Sequence, residues 1–188
     1  EIESPLELLW LNLVTDVLPG LGLALEPPDA NVMQGAGHSD KRFFDDGDFK
    51  RAGLESLAIT GATLGAHAYG LSRYGPGPQT RALTLFSLIT AQLLHSYSCR
   101  YDRPEDLAGG SLFSNRTLNM GTGAALALQL LPAFVPGVQR LLGLGRMSPV
   151  DFLVSGAAGL ASFSAVETVK ALNRKPRTAN GKERRTNA

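Results

Sequence analysis

The sequence contains five apolar blocks, each about long enough to cross a membrane as a helix. A hydrocarbon core of about 30 Å needs about 20 helical residues to cross it. Together the blocks make up about half of the chain, and most charged residues lie between them. The blocks are residues 6–25, 54–71, 82–99, 117–135 and 150–172.

A soluble helical bundle is the alternative, but each of its helices should carry a polar face. The fourth block shows almost none, since residues 121–134 read Gly-Thr-Gly-Ala-Ala-Leu-Ala-Leu-Gln-Leu-Leu-Pro-Ala-Phe. We therefore predict an all-α fold, a polytopic transmembrane bundle of five membrane-spanning helices, with the first helix broken at Pro19-Gly20. Small residues such as Gly61 and Gly65 predict that helix backbones approach closely.

The connectors predict the topology. Tyr74-Gly-Pro-Gly-Pro78 is typical of a tight hairpin between helices. Residues 173–188 are basic, and we expect them to form a disordered cytoplasmic tail. In that orientation the inner connectors hold 13 Lys and Arg against 4 in the outer ones, as the positive-inside rule requires. We thus predict a transmembrane domain over residues 1–172 in an integral membrane protein, with the N-terminus outside and the C-terminus in the cytoplasm.

Charge, cysteine content and motifs exclude several classes of function. The formal net charge is only +1, which gives no indication of nucleic-acid binding. The single cysteine, Cys99, excludes an internal disulfide and a four-thiolate metal site. The sequence contains no Walker A loop, no His-Glu-x-x-His and no Gly-x-Ser-x-Gly motif. We therefore expect no catalytic residues and no ATP hydrolysis by this chain alone.

Three polar residues in the first block form the best-supported candidate for a cation-binding site. Asn12, Thr15 and Asp16 are spaced i, i+3 and i+4, so they share one face of a helix. Pro19 has no N–H to offer the carbonyl of Thr15. A carboxylate, an amide, a hydroxyl and a free carbonyl are the ligands that a hard cation prefers. The alternative is that Asn12 and Thr15 form hydrogen bonds between helices, with Asp16 protonated and paired.

Other polar residues in the blocks allow two interpretations. Gln92 in the third block could complete a cation shell through its amide oxygen, or it could bond another helix. His95 is interpreted as a polar residue near a membrane surface, and His67 as a residue that packs or snorkels. Glu167 and Lys170 are spaced i, i+3 and predict a local ion pair.

Residues 5–19, Pro-Leu-Glu-Leu-Leu-Trp-Leu-Asn-Leu-Val-Thr-Asp-Val-Leu-Pro, are followed by Glu26-Pro-Pro-Asp29. This stretch resembles the sixth transmembrane helix of a P-type cation-transporting ATPase of the calcium-pump-like (P2) group. Leu112-Phe-Ser-Asn-Arg116 resembles the start of the ninth helix, and Glu167 with Lys170 resembles the end of the tenth. The five blocks would then be helices six to ten.

The resemblance implies a site and its partners. Asn12, Thr15 and Asp16 match the family's ion-coordinating positions, and Gln92 matches a position where two-site calcium pumps carry an acidic ligand. Ca²⁺ is the expected transported cation. The family's Asp-Lys-Thr-Gly motif does not occur here, so ATP and Mg²⁺ would bind only through domains that this chain lacks. The implied partners are those cytoplasmic domains, the N-terminal helices of the same pump and the lipid bilayer.

Three functions are compatible with these observations. The first is the membrane part of an ATP-driven cation pump, which supplies part of the ion-binding site. The second is a stand-alone five-helix membrane scaffold or regulator derived from a pump. The third is a passive cation channel, which would need several copies of the chain to line a pore, because each chain brings one Asp16.

Overall fold

A computed structural model of the protein describes residues 5–25, 46–99 and 116–172, and the regular structure of these residues is all helical. The predicted all-α class is therefore confirmed. The basic tail, the segment 26–45 and most of the 112–116 motif lie outside the described residues. In chain order the elements are α1 (Pro5–Asn12), a π-helical turn (Leu13–Val17), α2 (Leu18–Ala24), α3 (Asp46–Tyr74), α4 (Pro78–Ser98), α5 (Arg116–Phe134), α6 (Pro136–Leu141) and α7 (Pro149–Leu172).

The hairpin predicted between α3 and α4 is present. Gly75 has a φ of 70°, a left-handed conformation that favours glycine, and its N–H donates to the carbonyl of Leu71 at 3.0 Å. Pro78 then occupies the first turn of α4, where its missing N–H leaves no helical hydrogen bond unmade. A glycine that ends one helix and a proline that begins the next thus explain the tight connection.

The first block is irregular one turn earlier than predicted. Pro19 and Gly20, where we predicted the break, lie inside α2. The irregular part is the π-helical turn at Leu13–Val17, directly before them. Because Pro19 lacks an N–H, the carbonyl of Thr15 has no donor four residues further on. A wider turn with i→i+5 hydrogen bonds before the proline accommodates that gap.

The helices pack in two groups. The most extensive contacts join α3, α4 and α7 to one another, while α2 packs along α5. Buried apolar side chains from α1, the π turn, α4, α5 and the segment after α6 form a common core that connects the two groups. That core contains Leu11, Val14, Ala82, Leu85, Ile89, Leu93, Ala125, Leu142 and Leu144.

Glycines do allow close helix contact, but not at the predicted positions. A Cβ atom placed on Gly121 would lie 2.5 Å from the carbonyl oxygen of Leu18, and one on Gly22 would lie 2.7 Å from Cα of Leu118. A Cβ on Gly61 or Gly65 would meet nothing within 4 Å. The prediction for Gly61 and Gly65 is therefore wrong for the part of the chain that the structure describes, and the contact between α2 and α5 is among the close ones.

By length and composition, one helix within the described ranges is suited to crossing a membrane, namely α7. The other blocks contain the π turn or polar residues such as Gln92 and His95 of α4, which lower their mean hydropathy. The five spans are thus not confirmed and stay a prediction.

Candidate cation-binding site

The predicted residues of the first block lie at and within the π turn. Asn12 is the last residue of α1, and Thr15 and Asp16 belong to the turn itself. The hydroxyl of Thr15 lies 2.9 Å from the carbonyl oxygen of Leu11 and 3.1 Å from Oδ1 of Asp16, so both oxygens share its single proton. The structure therefore brings a hydroxyl and a carboxylate together where the helical ladder is irregular.

The opposite face of the π turn anchors it in the core. Val14 is fully buried and Leu11 is nearly so, and both pack in the same core as Leu85 and Ile89 of α4. Asn12 and Asp16, by contrast, are exposed. The oxygen-bearing face thus points away from the described helices, while the apolar face fixes its position.

Gln92 and Asp16 follow the Glu7–Arg81 contact by similar lengths of helix. Arg81 Nη2 donates to Glu7 Oε2 at 2.6 Å, and this contact aligns the first turns of α1 and α4. Asp16 follows Glu7 by nine residues and Gln92 follows Arg81 by eleven. At about 1.5 Å per residue these distances differ by about 3 Å along the helix axes.

The amide oxygen of Gln92 is available for a further contact. Gln92 is half-buried and shares a face of α4 with Leu85 and Ile89, seven and three residues before it. Its Oε1 is buried and has no hydrogen-bond partner among the residues that the structure describes. An oxygen buried without a donor is unusual in a folded protein, because leaving it unsatisfied costs free energy.

The described residues alone could not complete a cation shell. Ca²⁺ takes six to eight oxygen ligands at about 2.3–2.6 Å. Over residues 5–25, 46–99 and 116–172, no group of three or more His, Cys, Asp and Glu residues could hold a metal ion. A complete shell therefore needs oxygens from elsewhere, and the exposed face at Asn12 and Asp16 is open to them.

The two histidines of the second and third blocks contact α4 and α3, respectively. Thr84 donates its hydroxyl proton to the carbonyl of Thr80 at 2.7 Å, so His67 Nδ1 donates to Thr84 Oγ1 at 2.8 Å and carries the proton. His67 therefore bonds α3 to α4 and does more than pack. His95 Nε2 lies 3.7 Å from Oε2 of Glu55.

The predicted ion pair near the end of α7 is present. Lys170 Nζ lies 2.9 Å from Oε1 of Glu167. The ammonium group also donates to the carbonyl and hydroxyl oxygens of Ser98, at 2.5 and 2.6 Å. Lys170 thus satisfies a carbonyl in the last turn of α4, which has no donor within its own helix.

Comparison with known proteins assigns the chain. A family described as "Cation transporting ATPase, C-terminus" matches residues 4–172. The chain belongs to this family. It is 26% identical over 166 residues to the "Calcium-transporting ATPase" of Bacillus subtilis (strain 168), covering 85% of this chain and 18% of the relative. It is 24% identical over 166 residues to the "Calcium-transporting ATPase 1" of Bacillus cereus (strain ATCC 10987 / NRS 248), covering 79% of this chain and 18% of that relative.

This cation-ATPase C-terminal region spans less than a fifth of the length of those two relatives. The resemblance inferred from residues 5–19 is confirmed at the level of the family. The family match covers all five apolar blocks and does not by itself assign a role to any residue.

Two polar residues that hold the helices together were not predicted from the sequence. Glu7 is 1% exposed and pairs with Arg81. Gln129 is 3% exposed, and its amide nitrogen donates to the carbonyl of Phe86 at 2.9 Å and to Thr90 Oγ1 at 3.1 Å. The available signal was the same for both, a lone polar side chain inside an apolar block.

Proposed function

We propose that this chain is the C-terminal membrane part of an ATP-driven cation pump and supplies part of its intramembrane ion-binding site. The observation that carries the proposal is the contact between the Thr15 hydroxyl and the Asp16 carboxylate on a π turn. Irregular helical turns of this kind occur frequently at functional sites. Membership of the cation-transporting ATPase family supports the same function.

The ligand types favour a hard cation. Asp16 supplies the negative charge, and Asn12, Thr15 and Gln92 supply neutral oxygens, a set that suits Ca²⁺. Two relatives carry the name calcium-transporting ATPase, which supports Ca²⁺ as the transported ion. Because Gln92 is an amide, the cage has one negative charge fewer than it would have with a carboxylate at that position.

The proposal places all five blocks across a lipid bilayer, with the N-terminus outside and the C-terminus in the cytoplasm. Large apolar side chains on several helices support this arrangement, because they are exposed in the part of the chain that the structure describes. Examples are Leu9 at 66%, Leu57 at 68% and Leu153 at 73%. Lipid chains would cover these side chains without the cost of exposing them to water.

The remaining ligands come from other parts of the same pump. The exposed oxygens of Asn12 and Asp16 face the side on which helices outside this chain would pack. ATP and Mg²⁺ would bind to cytoplasmic domains outside this chain, and the phosphorylated residue would lie there as well. Asp16 would then exchange the cation as those domains cycle.

The test is Asp16→Asn in the complete pump, assayed as Ca²⁺-dependent phosphorylation by ATP in isolated membranes. We expect the Ca²⁺ concentration for half-maximal phosphorylation to rise by about 100-fold or more, because the charged ligand is lost. Glu55→Gln is the matched control, since this carboxylate pairs with Arg51 at 2.8 Å on α3, away from the π turn. The control should keep the wild-type Ca²⁺ dependence.

Two results would contradict the proposal. If the Asp16→Asn pump kept its Ca²⁺ dependence, the π turn would not be part of the ion-binding site. If wild-type membranes showed no Ca²⁺-dependent phosphorylation, the pumping function would be refuted. That result would favour the membrane scaffold.

A further inference from the structure

Glu7 and Arg81 form an ion pair between the first turns of α1 and α4. Arg81 Nη2 lies 2.6 Å from Glu7 Oε2, and the exposed fractions of the two side chains are 30% and 1%. A buried carboxylate is stable only when it is paired and hydrogen-bonded. The pair therefore holds α1 and α4 together at this height.

Few other buried residues fix α1. Of its eight residues, Glu7 and Leu11 are the buried ones, while Leu8 and Leu9 are exposed. The π turn follows at once, so a regular hydrogen-bond ladder does not continue from α1 into α2. Glu7 is thus the buried polar anchor of α1, beside the apolar contacts that Leu11 and Trp10 make with the core.

Arg81, the other residue of the pair, lies where the start of α4 packs against the segment before α7. The N–H of Gly145 donates to the carbonyl of Pro78 at 2.8 Å, so the segment before α7 packs on the start of α4. A Cβ atom on Gly143 would lie 3.9 Å from both terminal nitrogens of Arg81. This packing restricts where the guanidinium group can move.

The two paired helices carry all four proposed cation ligands. Asn12, Thr15 and Asp16 follow Glu7 along α1 and the π turn, and Gln92 follows Arg81 along α4. A shift of α1 along α4 would change the depth of three ligands relative to the fourth. The pair lies about 13 Å from Asp16 along the helix, too far to contact an ion there.

We propose that Glu7 and Arg81 are positioning residues, which set the depth of the Asn12–Asp16 oxygens relative to Gln92. The proposal rests on the proposed function, because it presupposes that these oxygens bind the transported cation. Neither residue contacts the ion. The pair acts on cation affinity through the alignment of α1 with α4.

The experiment is a double-mutant cycle in the complete pump with Glu7→Gln, Arg81→Gln and the double variant. The readout is the Ca²⁺ concentration for half-maximal phosphorylation, measured together with the maximal phosphorylation per pump molecule. Arg81→Lys retains the charge, and Arg140→Gln is a control at an exposed arginine on α6. Measuring both quantities separates a positioning role from a role in stability. A purely structural role would lower the maximal phosphorylation and leave the Ca²⁺ affinity unchanged.

We expect each single variant to raise the half-maximal Ca²⁺ concentration by about tenfold. The double variant should show about the same shift as either single variant, because the pair acts as one unit. Arg81→Lys should give a smaller shift and Arg140→Gln none, with maximal phosphorylation preserved in each.

Wild-type affinity in both single variants, or additive shifts in the double variant, would overturn the positioning proposal and leave the proposed function intact. Loss of the protein in every variant, including Arg81→Lys, would also overturn it, because the pair would then be needed for folding. A wild-type pump without Ca²⁺-dependent phosphorylation would overturn both proposals.

Discussion

Gly121→Ala tests the closest backbone contact between α2 and α5. The added Cβ would lie 2.5 Å from the carbonyl oxygen of Leu18 and 3.2 Å from its carbonyl carbon, whereas ordinary contacts begin at 3.4 Å. A backbone carbonyl cannot rotate away as a flexible side chain can. The two helices must therefore separate by about 1 Å at this point, and Leu18 directly follows the π turn.

Gly123→Ala is a matched control two residues further along α5. Gly123 is exposed, and a Cβ placed there would meet nothing within 4 Å. Both substitutions gain about 1 kcal/mol from the higher helix propensity of alanine. Only Gly121→Ala also carries a steric cost, which is about 1–3 kcal/mol for overpacking. The free energies of unfolding of the two variants should therefore differ by about 1–3 kcal/mol, with Gly121→Ala the less stable.

The assay is equilibrium unfolding of the purified chain in detergent micelles, followed by far-ultraviolet circular dichroism. Trp10 is the only tryptophan of the chain and packs against the core, so its fluorescence gives a second probe of the same transition. Equal unfolding free energies for the two variants would refute the contact between Gly121 and Leu18. A more stable Gly121→Ala variant would refute it as well.

Two further substitutions test the contacts of α7. Tyr74→Phe removes the hydroxyl that donates to the carboxylate of Asp151 at 2.9 and 3.0 Å, and it should lower the free energy of unfolding by about 1.5–3 kcal/mol. Tyr69→Phe, at an exposed contact with Arg73, should change it by less than about 1 kcal/mol, and equal effects at the two tyrosines would contradict the Asp151 contact. Lys170→Met leaves the carboxylate of Glu167 without its cation and should cost about 3–5 kcal/mol in thermal unfolding. Adding Glu167→Gln to Lys170→Met should recover part of that loss, and no recovery would mean that Lys170 acts through Ser98 alone.

The helical class was predictable because it depends on local patterns. Apolar blocks about 20 residues long, glycine and proline at Gly75 and Pro78, and the spacing of Glu167 and Lys170 all act over a few neighbouring residues. The structure contains the corresponding helices, hairpin and ion pair. The grouping of Thr15 with Asp16 was also predictable, since adjacent positions on a helix leave few other arrangements.

Contacts between distant residues were not predictable. Glu7 and Arg81 are 74 residues apart, and nothing in either local sequence identifies the other as its partner. The glycines show the same limitation, because Gly61 and Gly121 have similar small-residue surroundings, yet only Gly121 faces another backbone. The position of the π turn depended on how the chain accommodated Pro19, which helix propensity alone does not determine.

The bond from Lys170 to Ser98 has a consequence for the order in which the chain is assembled. The two residues are 72 positions apart, so at about 5–20 residues per second the ribosome needs several seconds to make Lys170 after Ser98. During that interval the carbonyl of Ser98 lacks the ammonium group as its donor, and the hydroxyl of Ser98 lacks the carboxylate of Glu167 as its acceptor. Glu7, in contrast, is made before Arg81 and can pair with it as soon as α4 appears. The alignment of α4 with α1 is therefore established first. When α7 then bonds to the end of α4, the position of α4 along α1 no longer changes.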